Sequence, residues 1–315
     1  MAQPSTTWAE VIGDDEQQRH EDFAKVITGL QSRINDRKGP GRAFHRRGVA
    51  ALTGRLTVPG GLPQHAAQGL FAQPGEYDVV IRLSNGSMVP QADAVPDIRG
   101  FAFSVRGLDG EAALGGTTDR QDFLLINWPS FGFRDSRDFA ELVPAAAKGQ
   151  KALAQHLIAK HGVVAGPLEM LKQAAGMARP FTGFATSDFH SCAPVAWGPY
   201  AAHVHVSPIG ARRNLLAWRD WGTDVASRIQ AGPLRWRVEA QFYTDPEATP
   251  IEDGRTPWSA TKQSVAVLEA DALADPDAVA NDHFDPWSAL VEHRPLGEIM
   301  RARKAAYFPS VANRA

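Results

Sequence analysis

At 315 residues, with 43% hydrophobic and 22% charged residues, the chain is long enough to bury a sizeable core, as one large domain or two ordinary ones. A net charge of −2 gives no electrostatic case for nucleic acid or an anionic membrane, and a single cysteine, Cys192, excludes an internal disulfide and cysteine-rich zinc or iron–sulfur sites. The N-terminus has neither a basic start nor an apolar stretch, and no uncharged apolar run reaches the ~18 residues of a membrane span, so the cytoplasm is the expected compartment.

Residues 14 to 38 read as a helix. Phe23, Val26, Ile27, Leu30 and Ile34 recur at spacings of three and four, Asp14 and Asp15 suit its start, and Gly39-Pro40-Gly41 stops it. From Val49 to about Trp128 the pattern becomes short strands separated by Gly, Pro and Asn. In the clearest, Glu76 to Ser84, Tyr77, Val79, Ile81 and Leu83 alternate with a face that carries Arg82 and Ser84. Gly100 to Val105, Asp122 to Trp128, Tyr200 to Val206, Leu234 to Tyr243 and Ser264 to Leu268 are further strands, with helices over roughly 136 to 178. A final helix covers about 293 to 307, entered by a turn at His293-Arg294-Pro295-Leu296-Gly297. Strands first, helices inserted and no regular βαβ alternation predict one α+β domain over 1–315, built on an antiparallel sheet or barrel. Residues 1–41 form an N-terminal helical arm and 293–315 a C-terminal helix and tail.

Several side chains in this frame carry chemistry. Arg303 and Tyr307 lie four apart on the last helix, so a permanently charged guanidinium stands beside a phenol oxygen and favours its ionised form. Tyrosinate is one of the few protein ligands used for haem iron. His45, with an ordinary pKa near ~6.5, can take a proton and return it. Ser84 can fix one of its ring nitrogens. Arg82, on a strand face that can be buried, needs a partner there.

Five segments in order resemble the haem catalases: Arg42-Ala43-Phe44-His45-Arg46-Arg47-Gly48, Val80-Ile81-Arg82-Leu83-Ser84, Asp97-Ile98-Arg99-Gly100-Phe101-Ala102, Asn127-Trp128-Pro129-Ser130-Phe131-Gly132-Phe133-Arg134-Asp135 with Phe139, and Arg303-Lys304-Ala305-Ala306-Tyr307. They span residues 42 to 307, with Arg314 beyond. The resemblance implies an antiparallel β-barrel of the haem-catalase type with inserted and flanking helices. It also implies haem b, with Tyr307 as iron ligand and Arg303 as its charge partner. His45, Ser84 and Asn127 take catalytic positions, Arg42, Arg82 and Arg314 clamp the propionates, and Phe131 and Phe139 pack near the porphyrin.

The sequence also departs from the family. Ile126 stands opposite the family's catalytic asparagine, so either Asn127 takes that role through a small shift or the site lacks a distal amide. Phe44 stands where the family has a small branched residue and so reshapes access to the iron, and the chain is shorter than a large catalase, whose missing segments predict a more open pocket. The resemblance therefore implies a small catalase-related peroxidase that reduces hydrogen peroxide or organic hydroperoxides through a ferryl intermediate, using a small organic reductant, with weak catalase activity. A catalase proper, a fatty-acid hydroperoxide isomerase of the allene oxide synthase kind and a non-enzymatic haem carrier or sensor are the alternatives. No nucleic acid or membrane span is expected, and the sequence leaves a homodimer open. His203 and His205 share a strand face without a third ligand, which favours structural histidines over a metal pair, and Cys192 reads as a small buried residue.

Overall fold

The computed structural model describes residues 3–177 and 180–312. After helix α1 (Glu16–Lys38), four strands follow as antiparallel neighbours: β1 (Gly48–Val58), β2 (Gly75–Asn85), β3 (Arg99–Glu111) and β4 (Thr117–Ile126). Helices α2 (Ser136–Ala147) and α3 (Gln150–Met177), the latter broken at Gly162, lead to the short strands β5 (Phe189–Ser191) and β6 (Val195–Trp197). Then come β7 (Tyr200–Pro208), α4 (Trp221–Ala231), β8 (Leu234–Phe242), β9 (Lys262–Leu273), α5 (Pro276–Asn281) and α6 (Glu298–Ala312). β9 pairs with β1, and β5 bonds both β4 and β7, so eight antiparallel strands close into a barrel and β6 lies against β7. Closure removes exposed strand edges.

Alternation decides what each strand does. On β2, Val79, Ile81 and Leu83 point into the barrel, and Phe101, Phe103, Val204, Val206, Trp236 and Val238 meet them there. The intervening residues point outward, where Val80, Ala102 and Leu124 pack with Val279 of α5, while α1, α2 and α6 pack on one another through Phe23, Ile27, Phe139, Ala302 and Ala306.

Some predicted bounds move. β4 ends at Ile126 rather than Trp128, although the Asn127 amide continues the ladder by donating to Arg99 O at 3.0 Å. The last helix begins at Glu298, because Pro295 and Gly297 shape the approach, and it runs on to Ala312. β5 and β6 have three residues each, too few to show alternation, and α4 is an eleven-residue helix not expected from the sequence.

Candidate active site

The chain enters β1 through residues 42 to 47, and His45 sits there with φ of 52°, the one non-glycine residue with positive φ among those described. Such a conformation persists only when its surroundings enforce it. Here His45 N donates to Gly86 O at 3.0 Å and the Arg82 guanidinium donates to His45 O at 2.7 Å, fixing both backbone groups to the β2 side. The imidazole Nδ1 lies 3.1 Å from Ser84 Oγ. Beneath the ring is Gly100, where a Cβ would fall 2.5 Å from His45 Nδ1 and 2.7 Å from Ser84 Oγ. Ser84 pairs with Gly100, and Gly100 with Ile126, so one transverse row on the outer barrel face supplies the floor. Burial, helped by the charges of Arg82, Arg303 and Arg42, holds the His45 pKa down at about 3, so the ring is neutral over the physiological range.

Across from it, α6 presents Arg303 and Tyr307. The Arg303 guanidinium donates to Tyr307 Oη at 3.3 Å and lies 5.5 Å from the ring centroid, with Met300 Sδ 3.6 Å from its other nitrogen. Burial pulls the Arg303 pKa down, but Tyr307, Cys192 and Asp285 outweigh it and the net direction is up. Arg42 is driven down by burial, with Tyr307 and Asp282 opposing. The structure therefore brings Arg42, His45, Arg82, Ser84, Arg303 and Tyr307 into one neighbourhood.

Phe131 and Phe139 stack with centroids 5.5 Å apart, and Phe44 meets Phe139 edge-on at 5.7 Å, so Phe44 packs into the aromatic cluster. One end of the Asn127 side chain is engaged by the backbone: its Oδ1 accepts from Arg99 N at 2.7 Å. Ile126 is buried in the row beside Gly100. Arg314 lies outside the described residues. His203 and His205 are buried on the outer barrel face and bond Ser191 and Gln241 respectively, and no cluster able to hold a metal ion occurs among the described residues. Cys192 is buried.

Sequence reasoning missed what seats α6. The Arg301 guanidinium bonds Glu10 at 2.6 Å, Glu16 at 2.5 Å and Glu252 at 3.1 Å. Glu10 also accepts from Gly297 N at 3.0 Å and Glu252 from Glu298 N at 2.7 Å, which satisfies amides at the helix start. Glu298 in turn accepts from Ser136 N at 2.8 Å and bonds His20 at 3.1 Å. The only local hint was a second arginine two positions before Arg303, which a helix must turn away from Tyr307 and toward some other partner.

No family model matches the chain, and no curated protein matches it in sequence. Among solved structures it is similar to a fungal catalase (16% identity, TM-score 0.70) and to catalase A from Saccharomyces cerevisiae (16% identity, TM-score 0.69). A bacterial catalase is similar at 15% identity with a TM-score of 0.64. All three alignments cover 100% of this chain, and 65%, 67% and 63% of those catalases, so the chain spans about two thirds of their length. The closed eight-stranded barrel with its flanking helices is the catalase fold.

Proposed function

We propose that the chain is a haem-dependent peroxidase reducing hydrogen peroxide or organic hydroperoxides, with weak catalase activity. The observation that carries this reading is the pairing of a neutral, backbone-strained His45 on Ser84 and Gly100 with an Arg303–Tyr307 pair in the same neighbourhood. The residues fit haem b by their chemistry. Arg42 and Arg82 both bear on the buried His45 site, which suits a cofactor carrying two carboxylates, and a phenol oxygen next to a third guanidinium, Arg303, suits an anionic iron ligand. Tyr307 would hold the iron, Arg42, Arg82 and Arg314 the propionates, and Phe131 and Phe139 a porphyrin face. Bound haem supplies the redox chemistry that splits a peroxide O–O bond and oxidises a donor.

The chain's own residues handle the proton. His45 Nδ1 is occupied by Ser84, and with Ser84 accepting, Nε2 keeps its lone pair. Nε2 takes the proton from one peroxide oxygen and passes it to the other, which leaves as water or alcohol. Arg303 offsets the negative charge of a tyrosinate ligand. Ile126 offers no hydrogen bond where an amide would orient a second hydrogen peroxide, and the Asn127 carbonyl is spent on Arg99, which favours an organic donor over dismutation.

The test is an absorption spectrum of protein expressed with ample iron and haem precursor, followed by parallel hydrogen peroxide and organic-hydroperoxide assays. A high-spin tyrosinate spectrum is expected, and Tyr307→Phe should abolish it. Failure to bind haem sinks the reading, an unchanged spectrum in the variant moves the ligand elsewhere, and haem binding without turnover makes the protein a carrier or sensor.

A further inference from the structure

Between β7 and α4 the chain exposes three large apolar residues within four positions: Leu215 is 83% exposed, Leu216 59% and Trp218 48%. Single exposed leucines are ordinary, but a cluster on a built projection is not. Asn214 Oδ1 accepts from Leu216 N at 3.0 Å, Asn214 Nδ2 donates to Asp224 at 2.7 Å, and Arg228 donates to Arg212 O at 2.9 Å. Ala217, between the exposed residues, is buried and anchors the turn. The apolar tip is thus displayed by tertiary bonds.

Its surroundings are basic. Residues 211 to 219 contain Arg212, Arg213 and Arg219, all exposed, and no Asp or Glu. Arg219 lies over the Trp218 ring at 5.6 Å. The next acidic group, Asp220, caps α4 by accepting from Thr223 N, and Asp224 is buried against Arg228 at 2.9 Å. From this combination we infer that the 211–219 projection docks the protein onto an anionic phospholipid bilayer, with Leu215, Leu216 and Trp218 entering the headgroup region and the three arginines meeting lipid phosphates. A purely apolar partner would leave the arginines without anions, and a nucleic acid would leave the leucines in water. Trp beside Arg is the composition of a bilayer interface. No described helix is long and apolar enough to cross a membrane, so the attachment is peripheral. The tip also has a fixed bearing on the site. Asp93 accepts from Trp221 N at 2.8 Å and from Arg47 at 2.7 Å, and Arg47 is two residues from His45.

The test is flotation of the full chain with phosphatidylcholine vesicles, with and without phosphatidylglycerol. Three arginines should favour the anionic vesicles by about a hundredfold at low salt, and added salt should erode that preference. Leu215→Ser with Leu216→Ser should weaken binding at least about tenfold, at an unchanged melting temperature because both sites are on the surface. Three results would overturn the inference: equal or no binding to the two vesicle types, an unaffected double variant, or tighter binding to a soluble polyanion than to vesicles. Sedimentation showing a dimer that the double variant abolishes would also overturn it, by making a second copy the occupant.

Discussion

The two faces of the same barrel strands are both largely buried, yet only one carries the candidate chemistry, and a pair of histidines shows what separates them. His293 is fully buried, faces Phe71, Trp197 and Phe123, and stands over Gly69, where a Cβ would meet its Nε2 at 2.5 Å. His45 stands in the same way over Gly100. Burial lowers both, His293 to about 4 and His45 to about 3. At His293 both nitrogens are occupied, Nε2 accepting from Leu70 N at 3.0 Å and Nδ1 facing Ala196 O at 3.4 Å. At His45 only Nδ1 has a hydrogen-bond partner among the described residues, and the backbone is forced to positive φ. Burial and a shifted pKa therefore do not identify a working histidine. What sets the candidate His45 apart is a vacant nitrogen on a strained backbone.

The sharpest way to break that contrast is to remove each ring. His45→Gly should cut peroxide turnover by about 10²–10⁴-fold. Its stability should stay within about 1 kcal/mol of the parent, because glycine relieves the positive φ while the Ser84 bond is lost. His293→Ala should do the reverse, losing roughly 2–4 kcal/mol in denaturant unfolding by leaving Leu70 N without its acceptor, with turnover per folded molecule unchanged. Equal effects on stability and turnover in both variants would erase the distinction.

Acidification probes what the two histidines share. With native pKa values of about 4 for His293 and about 3 for His45 and His203, the unfolded chain takes up protons near pH ~6.5 that the native protein refuses. Stability is full above that pH and falls as pH drops toward the native values. Between pH 7 and 5.5, His293 alone should account for about 1 kcal/mol. Unfolding titrations that are flat across this window would show the imidazoles already charged in the native state. The smallest effect belongs to Ser84→Ala, which loosens His45 without removing it. Turnover should fall by about two- to tenfold, the range of one neutral hydrogen bond, and the acid limb of the pH profile should shift.

Legibility in the sequence followed the same division. β2 could be read to within a residue because inward Val79, Ile81 and Leu83 alternate with Arg82 and Ser84, and the Arg303–Tyr307 bond follows from a four-residue helical spacing. The His45 conformation could not be read, since it comes from bonds to Gly86 and Arg82 some 40 positions away. Asn127 entered as a catalytic candidate only through the resemblance and a one-position shift, and its bond to Arg99 could not be read from the sequence. Net charge is an average, and −2 does not report a local stretch such as 211–219 with three arginines and no acid, on which the vesicle experiment bears directly.

The seating of α6 has a consequence for how the protein is made. Glu10 and Arg301 are separated by 291 positions. At about 5–20 residues per second, a ribosome takes roughly 15–60 s to travel between them. For that interval the apolar side of α1, with Phe23 and Ile27, has emerged while Ala302 and Ala306 have not, and His45 waits without Tyr307. The barrel also waits, because β1 pairs with β9, but α1 waits longer still for α6. On the proposed reading, haem finds Tyr307 beside His45 only once α6 has been made.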